Sequence, residues 1–281
     1  MVETIIFLSA PITACVLLAG ILGYFGNHIL SRGIIFIDIA LAQIVALGTV
    51  LGLLLGFAEG STSVEIVSLV FTLIIVTIFA LTKFEKQLIP QEAIIGIIYG
   101  LGLGIATLFA ENIPRGSNYI TKTITGNILW CTWDEILFSL LLFVIIGILH
   151  LFLGKNFIKI TDAKDGFPFS PQKVRVMEII FYITFGIVVV RAVPIAGIFL
   201  VFILLIAPTS IASIFTKQWK WRFIWSWIIG IIGSVIGIFI SYQLDISNGP
   251  AIVCLLGIVV FILAFAKIIF GKKEELEKVT N

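Results

Sequence analysis

Charge is what this sequence has least of. Asp, Glu, Lys and Arg make up 12% of its 281 residues, while 60% are hydrophobic and the mean hydropathy is +1.19. An ordinary soluble domain carries about 25% charged residues, so that class is excluded. No stretch departs from the pattern to mark a separate water-soluble unit. The chain reads as a single domain, residues 1–281, of all-α class: a polytopic membrane helical bundle. The net charge of +2 says little about partners, because the positions of charges matter more than their sum.

Catalytic residues and motifs are scarce too. The only two histidines are His28 and His150, and neither belongs to an H-E-x-x-H pair. There is no G-x-S-x-G elbow and no P-loop, so ATP hydrolysis by that route is excluded. Both histidines fall near span ends and read as structural. The chain is not expected to be an enzyme or to hold a cofactor. The three cysteines, Cys15, Cys131 and Cys254, are far apart and form no C-x-x-C pair, which argues against a disulfide framework or a thiolate metal site. Ile12-Thr13-Ala14-Cys15 faintly resembles a lipoprotein cleavage box. It lacks the basic region a signal needs, since Glu3 is the only charge before it, so the first helix is taken as retained.

What is present is long apolar runs. A bilayer span needs about 20 apolar residues. Nine stretches qualify, near 4–26, 34–57, 64–82, 92–111, 135–153, 176–192, 194–216, 222–243 and 250–270. The sixth and seventh are parted only by Arg191-Ala192-Val193-Pro194, so the pair is either a tight hairpin or one span followed by a broken one, giving eight or nine in all. With the loop after the first span placed in the cytoplasm, fifteen bases from Arg32 to Lys278 fall inside and only Arg115, Lys122 and Arg191 outside. That bias favours an external N-terminus, an internal C-terminus and nine spans.

The spans carry small-residue stripes: Gly48, Gly52 and Gly56; Gly96, Gly100 and Gly104; Gly230, Gly233 and Gly237. Such faces let helices approach backbone to backbone. The stretch KQWKWRFIWSW, 217–227, sets bases beside tryptophans. Because it joins two spans directly, it reads as an anchor at the inner lipid interface rather than a nucleic-acid contact.

One segment resists a purely structural reading. FIDIALAQIVALG, 36–48, opens a span yet carries Asp38 and Gln43. An ionisable group inside a span costs about 2.5–3.5 kcal/mol on insertion scales, so it is normally paired or lines a watery path. Arg32 is the near partner that would pair Asp38. Gln43 is five positions on, about 140° around the helix, whereas Ala42 shares the face of Asp38 and would leave room beside it. Further along, Ala207-Pro208-Thr209-Ser210-Ile211-Ala212 breaks an apolar run ahead of the basic segment and reads as a helix end followed by a short helix. Residues 154–175 form the longest loop on the basic side, and residues 111–134 the longest on the other.

Four segments together resemble the membrane-spanning permease subunit of metal-importing ABC transporters of the zinc, manganese and iron type. They are GYFGNHILSRGIIFIDIALAQIVALG (23–48), ITGNILW (124–130), RAVPIAGIFLVFILLIAPTSIASIF (191–215) and SYQLDISNGPAIVCLLG (241–257), in the family's order and spacing. The resemblance implies a permease that moves divalent metal ions, zinc or manganese first. It implies a homodimer with a second copy of itself in the lipid bilayer, a separate ABC ATPase subunit that binds the ATP, and an extracytoplasmic solute-binding protein docking on 111–134 and 59–63. Asp38, with Gln43 and Ala42, would line the translocation pathway, and Asp38 would be a transient metal ligand. Pro208, Thr209, Ser210, Ala212 and Lys217 would form the ATPase-coupling element. There is one departure. Where the family commonly has a Ser-His pair after this acid, the chain has Ala40-Leu41-Ala42-Gln43, which bears on the choice of metal. Two alternatives remain open: an importer for iron chelates or cobalamin, and an ion-coupled secondary transporter. The latter would place ionisable residues near the midplane of several spans, whereas Glu65, Glu92, Asp134, Glu178 and Asp245 fall at or near span ends.

Overall fold

The computed structural model describes the backbone of residues 2–82, 89–114, 116–126, 128–163 and 169–280. Lys83, Lys86, Arg115 and Lys164, among the bases counted above, lie outside the described residues. The described chain is helical: α1 (Val2–Arg32), α2 (Ile37–Leu54), α3 (Thr62–Thr82), α4 (Gln91–Ala110), α5 (Gly116–Thr125), a 3-10 turn (Ile128–Trp130), α6 (Trp133–Thr161), α7 (Pro171–Phe215), α8 (Trp219–Leu244) and α9 (Asn248–Thr280). Eight of the nine α-helices are long and apolar enough to cross a membrane; the ten-residue α5 is not. This is the helical polytopic bundle expected.

The longest of the eight crosses twice. At Gly197 the backbone takes φ 79° and ψ 161°, outside any helix, so α7 is two arms, 171–196 and 198–215. Continued in one direction, Phe181 and Leu205 would stand about 36 Å apart along the axis. Instead Phe181 packs 5.4 Å from the ring of Phe25, and the Leu205 carbonyl abuts the neighbouring Gly26. The arms therefore fold back on each other, and the described chain makes nine crossings. The reversal lies three residues beyond Pro194, where the sequence placed the break. Helix runs through Pro194, and the turn waits for a residue without a Cβ. Only glycine readily adopts this backbone conformation, and a Cβ there would meet the backbone of Gly126 at 2.5 Å.

Local chemistry explains the other ends. Gly33, at φ 72°, turns α1 into α2. Thr132 caps α6 in a reciprocal box: its Oγ1 accepts from the Glu135 N–H at 3.3 Å, and its own N–H donates to Glu135 Oε2 at 2.8 Å. Helix α2 is apolar nearly all round and is the most buried of the candidate spans, with every residue from Ile37 to Val50 buried except Ile39 and Thr49.

The glycine stripes divide. Gly48 and Gly52 seat α2 against Ser68 and Val64 of α3, and Gly230, Gly233 and Gly237 seat α8 against Ala19, Leu256 and Ile252. Gly96, Gly100 and Gly104 meet nothing within 4 Å; that stripe faces away from the chain's own bundle, contrary to the packing role its spacing implied.

Bases mark one end of the bundle. Arg32 meets Thr161 there, Arg222 meets Ser31, and Lys267 reaches the Ile214 carbonyl at 2.5 Å. At the opposite end Gly126, Gly197 and Gly249 come together. Helix α1 descends toward the basic end and α9 descends beside the second arm of α7, so the two termini lie at opposite ends.

Candidate functional site

Asp38 sits in the first turn of α2, 1% exposed. Its carboxylate lies against the backbone N–H groups of Asp38 and Ile39, the positive end of the helix dipole. The other oxygen, Oδ1, is buried with no hydrogen-bond partner. The pairing with Arg32 that the sequence suggested is not made. Arg32 Nη1 instead binds Glu178 Oε2 at 2.8 Å, with both side chains almost wholly enclosed. Glu178, expected near a span end, is inside the bundle for this reason. Asp38 is left as a buried acid without a basic partner, the form in which a membrane helix carries a cation-attracting group.

Gln43 is buried too, at 5% exposure, but on another face: its Cβ packs against Gly102 of α4. Ala42 is 1% exposed and occupies the helical face of Asp38. The three predicted residues are thus enclosed in one deeply buried helix, with Gln43 turned toward α4 and away from Asp38. Among the described residues, no three or more His, Cys, Asp or Glu groups gather at metal-ligand spacing, so Asp38 stands as an isolated carboxyl group rather than part of a resident metal centre.

The basic end also holds a polar network that a single sequence does not reveal. Arg32 also donates from Nε to Thr161 Oγ1 at 3.1 Å, and its guanidinium lies 4.0 Å over the Phe181 ring. His28 Nδ1 shares Thr161 Oγ1 at 2.9 Å, and its ring stacks on Trp219 at 4.9 Å. His150 bridges Tyr24 and Thr184 at 3.0 and 2.8 Å. Gln91 of α4 reaches Tyr182 Oη at 3.2 Å. The network ties α1, α4, α6, α7 and α8 at the basic end. Its hydrogen-bond partners are 34 to 146 residues apart in the chain, and no local spacing signals them.

The tryptophan segment is partly drawn into this network. Trp219 Nε1 donates to Asp162 Oδ2 at 2.8 Å, and Trp227 Nε1 donates to the Val16 carbonyl at 3.1 Å. Trp221 and Trp225 remain outward-facing, as interface anchors require.

The proposed coupling element is differently built from the expectation. Helix runs unbroken through Pro208 to Phe215, with no helix end at Pro208. The proline loses one backbone donor, while the Thr209 hydroxyl folds back onto the Leu205 and Ile206 carbonyls at 2.8 Å. Pro208, Thr209 and Ala212 are buried, Ser210 is partly covered, and Lys217 is exposed. The surface at this corner is formed by Ser213, Phe215 and Gln218 together with Lys217, which alone of the expected residues is exposed.

At the opposite end, Arg191 Nη1 binds Glu65 Oε1 at 2.9 Å and its Nε donates to Ser139 Oγ at 3.0 Å, joining the first arm of α7 to α3 and α6. The expected loop 111–134 contains α5, held to the α2–α3 turn by Lys122 and Glu59 at 3.0 Å. The Tyr119 hydroxyl, together with Lys122, holds the Glu59 carboxyl below its usual range.

A family model described as the ABC 3 transport family matches residues 4–268. The manganese import system permease protein ScaB of Streptococcus gordonii is 26% identical over 265 residues, which is 92% of this chain and 90% of that protein. A probable iron transport system membrane protein of Haemophilus influenzae is 28% identical over 193 residues, 66% of this chain and 68% of the other. Among solved structures, PsaBC from Streptococcus pneumoniae in complex with Fab superposes with a TM-score of 0.75 at 21% identity, covering 93% of this chain and 95% of that one.

Proposed function

Because the chain belongs to the ABC 3 transport family, we propose that it is the membrane-spanning permease of an importer for a first-row divalent metal ion, manganese or iron ahead of zinc. The relatives named for manganese and iron support the choice of cargo. ATP is hydrolysed by a separate ABC ATPase subunit, an extracytoplasmic solute-binding protein delivers the cargo, and two copies of the chain form the membrane unit.

The observation that carries the reading is Asp38: a buried acid on the most buried span, with an unpartnered oxygen and no basic neighbour. A dehydrating divalent cation needs fixed negative charge, and a carboxylate at about 4 Å supplies about 4 kcal/mol per unit of cation charge at an effective dielectric near 20. A hard oxygen donor suits manganese, which accepts carboxylate and water ligands. With Ala40-Leu41-Ala42-Gln43 where the family commonly carries a Ser-His pair, the path offers oxygen rather than imidazole at this level, a further reason to rank manganese above zinc. Release requires that binding stay weak, and one carboxylate without a histidine beside it meets that condition.

The ATPase subunit docks on the corner formed by Phe215, Lys217 and Gln218. Pro208, packed against α8, Thr209, packed against α1, and the buried Ala212 carry the displacement inward. The experiment is uptake into vesicles that contain the permease and its ATPase, with the binding protein added. Transport of manganese that depends on ATP and on the binding protein supports the reading. Ion-driven uptake without nucleotide would replace it with a secondary transporter.

A further inference from the structure

The turn between α8 and α9 holds a motif, Asp245 to Gly249, that the transport path does not use. It faces the 3-10 turn across a cleft of about 300 Å³ at the end of the bundle opposite the bases. Asp245 caps α8 in the left-handed conformation, φ 53° and ψ 45°, the only non-glycine residue at positive φ among the described residues. Its carboxylate is exposed. Three other acids of this end are engaged: Glu59 by Lys122, Glu65 by Arg191, and Glu135 in its helix cap. On the same cleft Asn248 is 6% exposed, and its Oδ1 is buried with no donor. Trp130 lines the opposite wall with 70% of its surface exposed.

We propose that this cleft is a receptor for a lysine or arginine side chain presented by the extracytoplasmic solute-binding protein. The proposal rests on the importer reading above. A cationic head entering the cleft finds the Asp245 charge at the mouth, the buried Asn248 acceptor within, and the face of Trp130 for a cation–π contact. The negative end of α8 adds to the field. The positive end of α9 stands opposite, with one backbone donor fewer because Pro250 has no N–H. The site is also connected to the fold's reversal point: Gly249 packs on the carbonyls of Thr125 and Ala196, and Gly197 on Gly126. Docking here therefore presses directly on the turn that joins the two arms of α7.

The test uses the permease–ATPase complex in nanodiscs and purified solute-binding protein, with affinity read by biolayer interferometry at low and moderate salt. Asp245→Gly and Asp245→Asn both tolerate the left-handed backbone, so the fold survives loss of the charge. Each should weaken binding about tenfold at low salt and flatten its salt dependence, and Trp130→Ala should weaken it at either salt. Glu111→Gln, removing another exposed acid of the same end, should leave affinity unchanged. Wild-type binding that none of the Asp245 and Trp130 variants alters would overturn the cleft while leaving the partner in place. Equal losses in Glu111→Gln would also overturn it, showing a diffuse field. Displacement of the binding protein by micromolar free manganese would assign the cleft to an ion instead. Absence of binding by the wild type would remove the partner reading itself, and the cleft with it.

Discussion

Replacing Glu178 by Gln removes the charge from a pair that is almost wholly enclosed. The two side chains are 3% and 0% exposed, and the Arg32–Glu178 contact is 2.8 Å. Glutamine keeps the shape and one acceptor, so the loss is electrostatic: the guanidinium stays buried, held by the Thr161 hydroxyl and the Phe181 ring but without its counter-charge. Breaking a buried pair by removing one partner costs about 3–5 kcal/mol, whereas replacing both with well-packed apolar groups is often neutral. Hydrogen bonding to the retained amide places Glu178→Gln near the lower figure. Arg32→Met leaves Glu178 as the uncompensated ion and should cost as much or more. The double replacement Arg32→Met with Glu178→Leu should recover most of the loss. Thermal unfolding in detergent, followed by monodispersity on a sizing column, reads the effect: two single variants with clearly lowered midpoints and a double variant near the wild type. Single variants within about 0.5 kcal/mol of the wild type would show that the pair is solvated in the membrane protein, and the reasoning would fail.

The remaining predictions concern other parts of the molecule. Gly197→Ala adds a Cβ against the Gly126 backbone in a glycine-only conformation and should destabilise by about 1–3 kcal/mol, seen as reduced folded yield; full yield would place the reversal elsewhere. Thr209→Trp should lower folded protein, because Thr209 is 0% exposed, whereas Lys217→Glu should spare the fold and weaken co-purification of the ATPase subunit; the opposite pattern would refute the docking corner. The clasp of α5 is pH-dependent in a defined sense. The Glu59 carboxyl is held below its usual range, so its contribution is fully present above the ordinary carboxylate pKa of about 4.3 and is lost as pH falls through the depressed value. Amide exchange across 116–125, corrected for intrinsic rates, should accelerate only in that acidic range, and modestly, since both partners are more than half exposed; protection that rises on acidification would contradict it.

How far the sequence could be read follows from the range of the forces involved. Spans are set by local composition, so their number and approximate limits were legible, as was the gathering of bases at one end. The reversal of α7 was visible as a break but displaced to Pro194, because proline is a conspicuous helix breaker while the positive φ of Gly197 depends on Gly126, 71 residues earlier. Glycine periodicity identified close packing for α2 and α8 and overreached for α4, since spacing shows a bare stripe but not what lies against it. Asp38 stood out because an acid in an apolar run is costly wherever it falls. Its suspected partner was wrong, since Arg32 was the nearest base in sequence and Glu178, 146 residues away, is the nearer acid in space.

The central claim is that Asp38 supplies the charge that draws a divalent cation through the bundle, and Asp38→Asn tests it most directly. The variant keeps size and hydrogen bonding and removes the charge. Uptake of manganese, iron and zinc per folded transporter is measured in vesicles with the ATPase and binding protein present. The account predicts a fall of about tenfold or more at near-normal protein level, with Asp38→Ala no better. Normal uptake of all three metals by Asp38→Asn would contradict it.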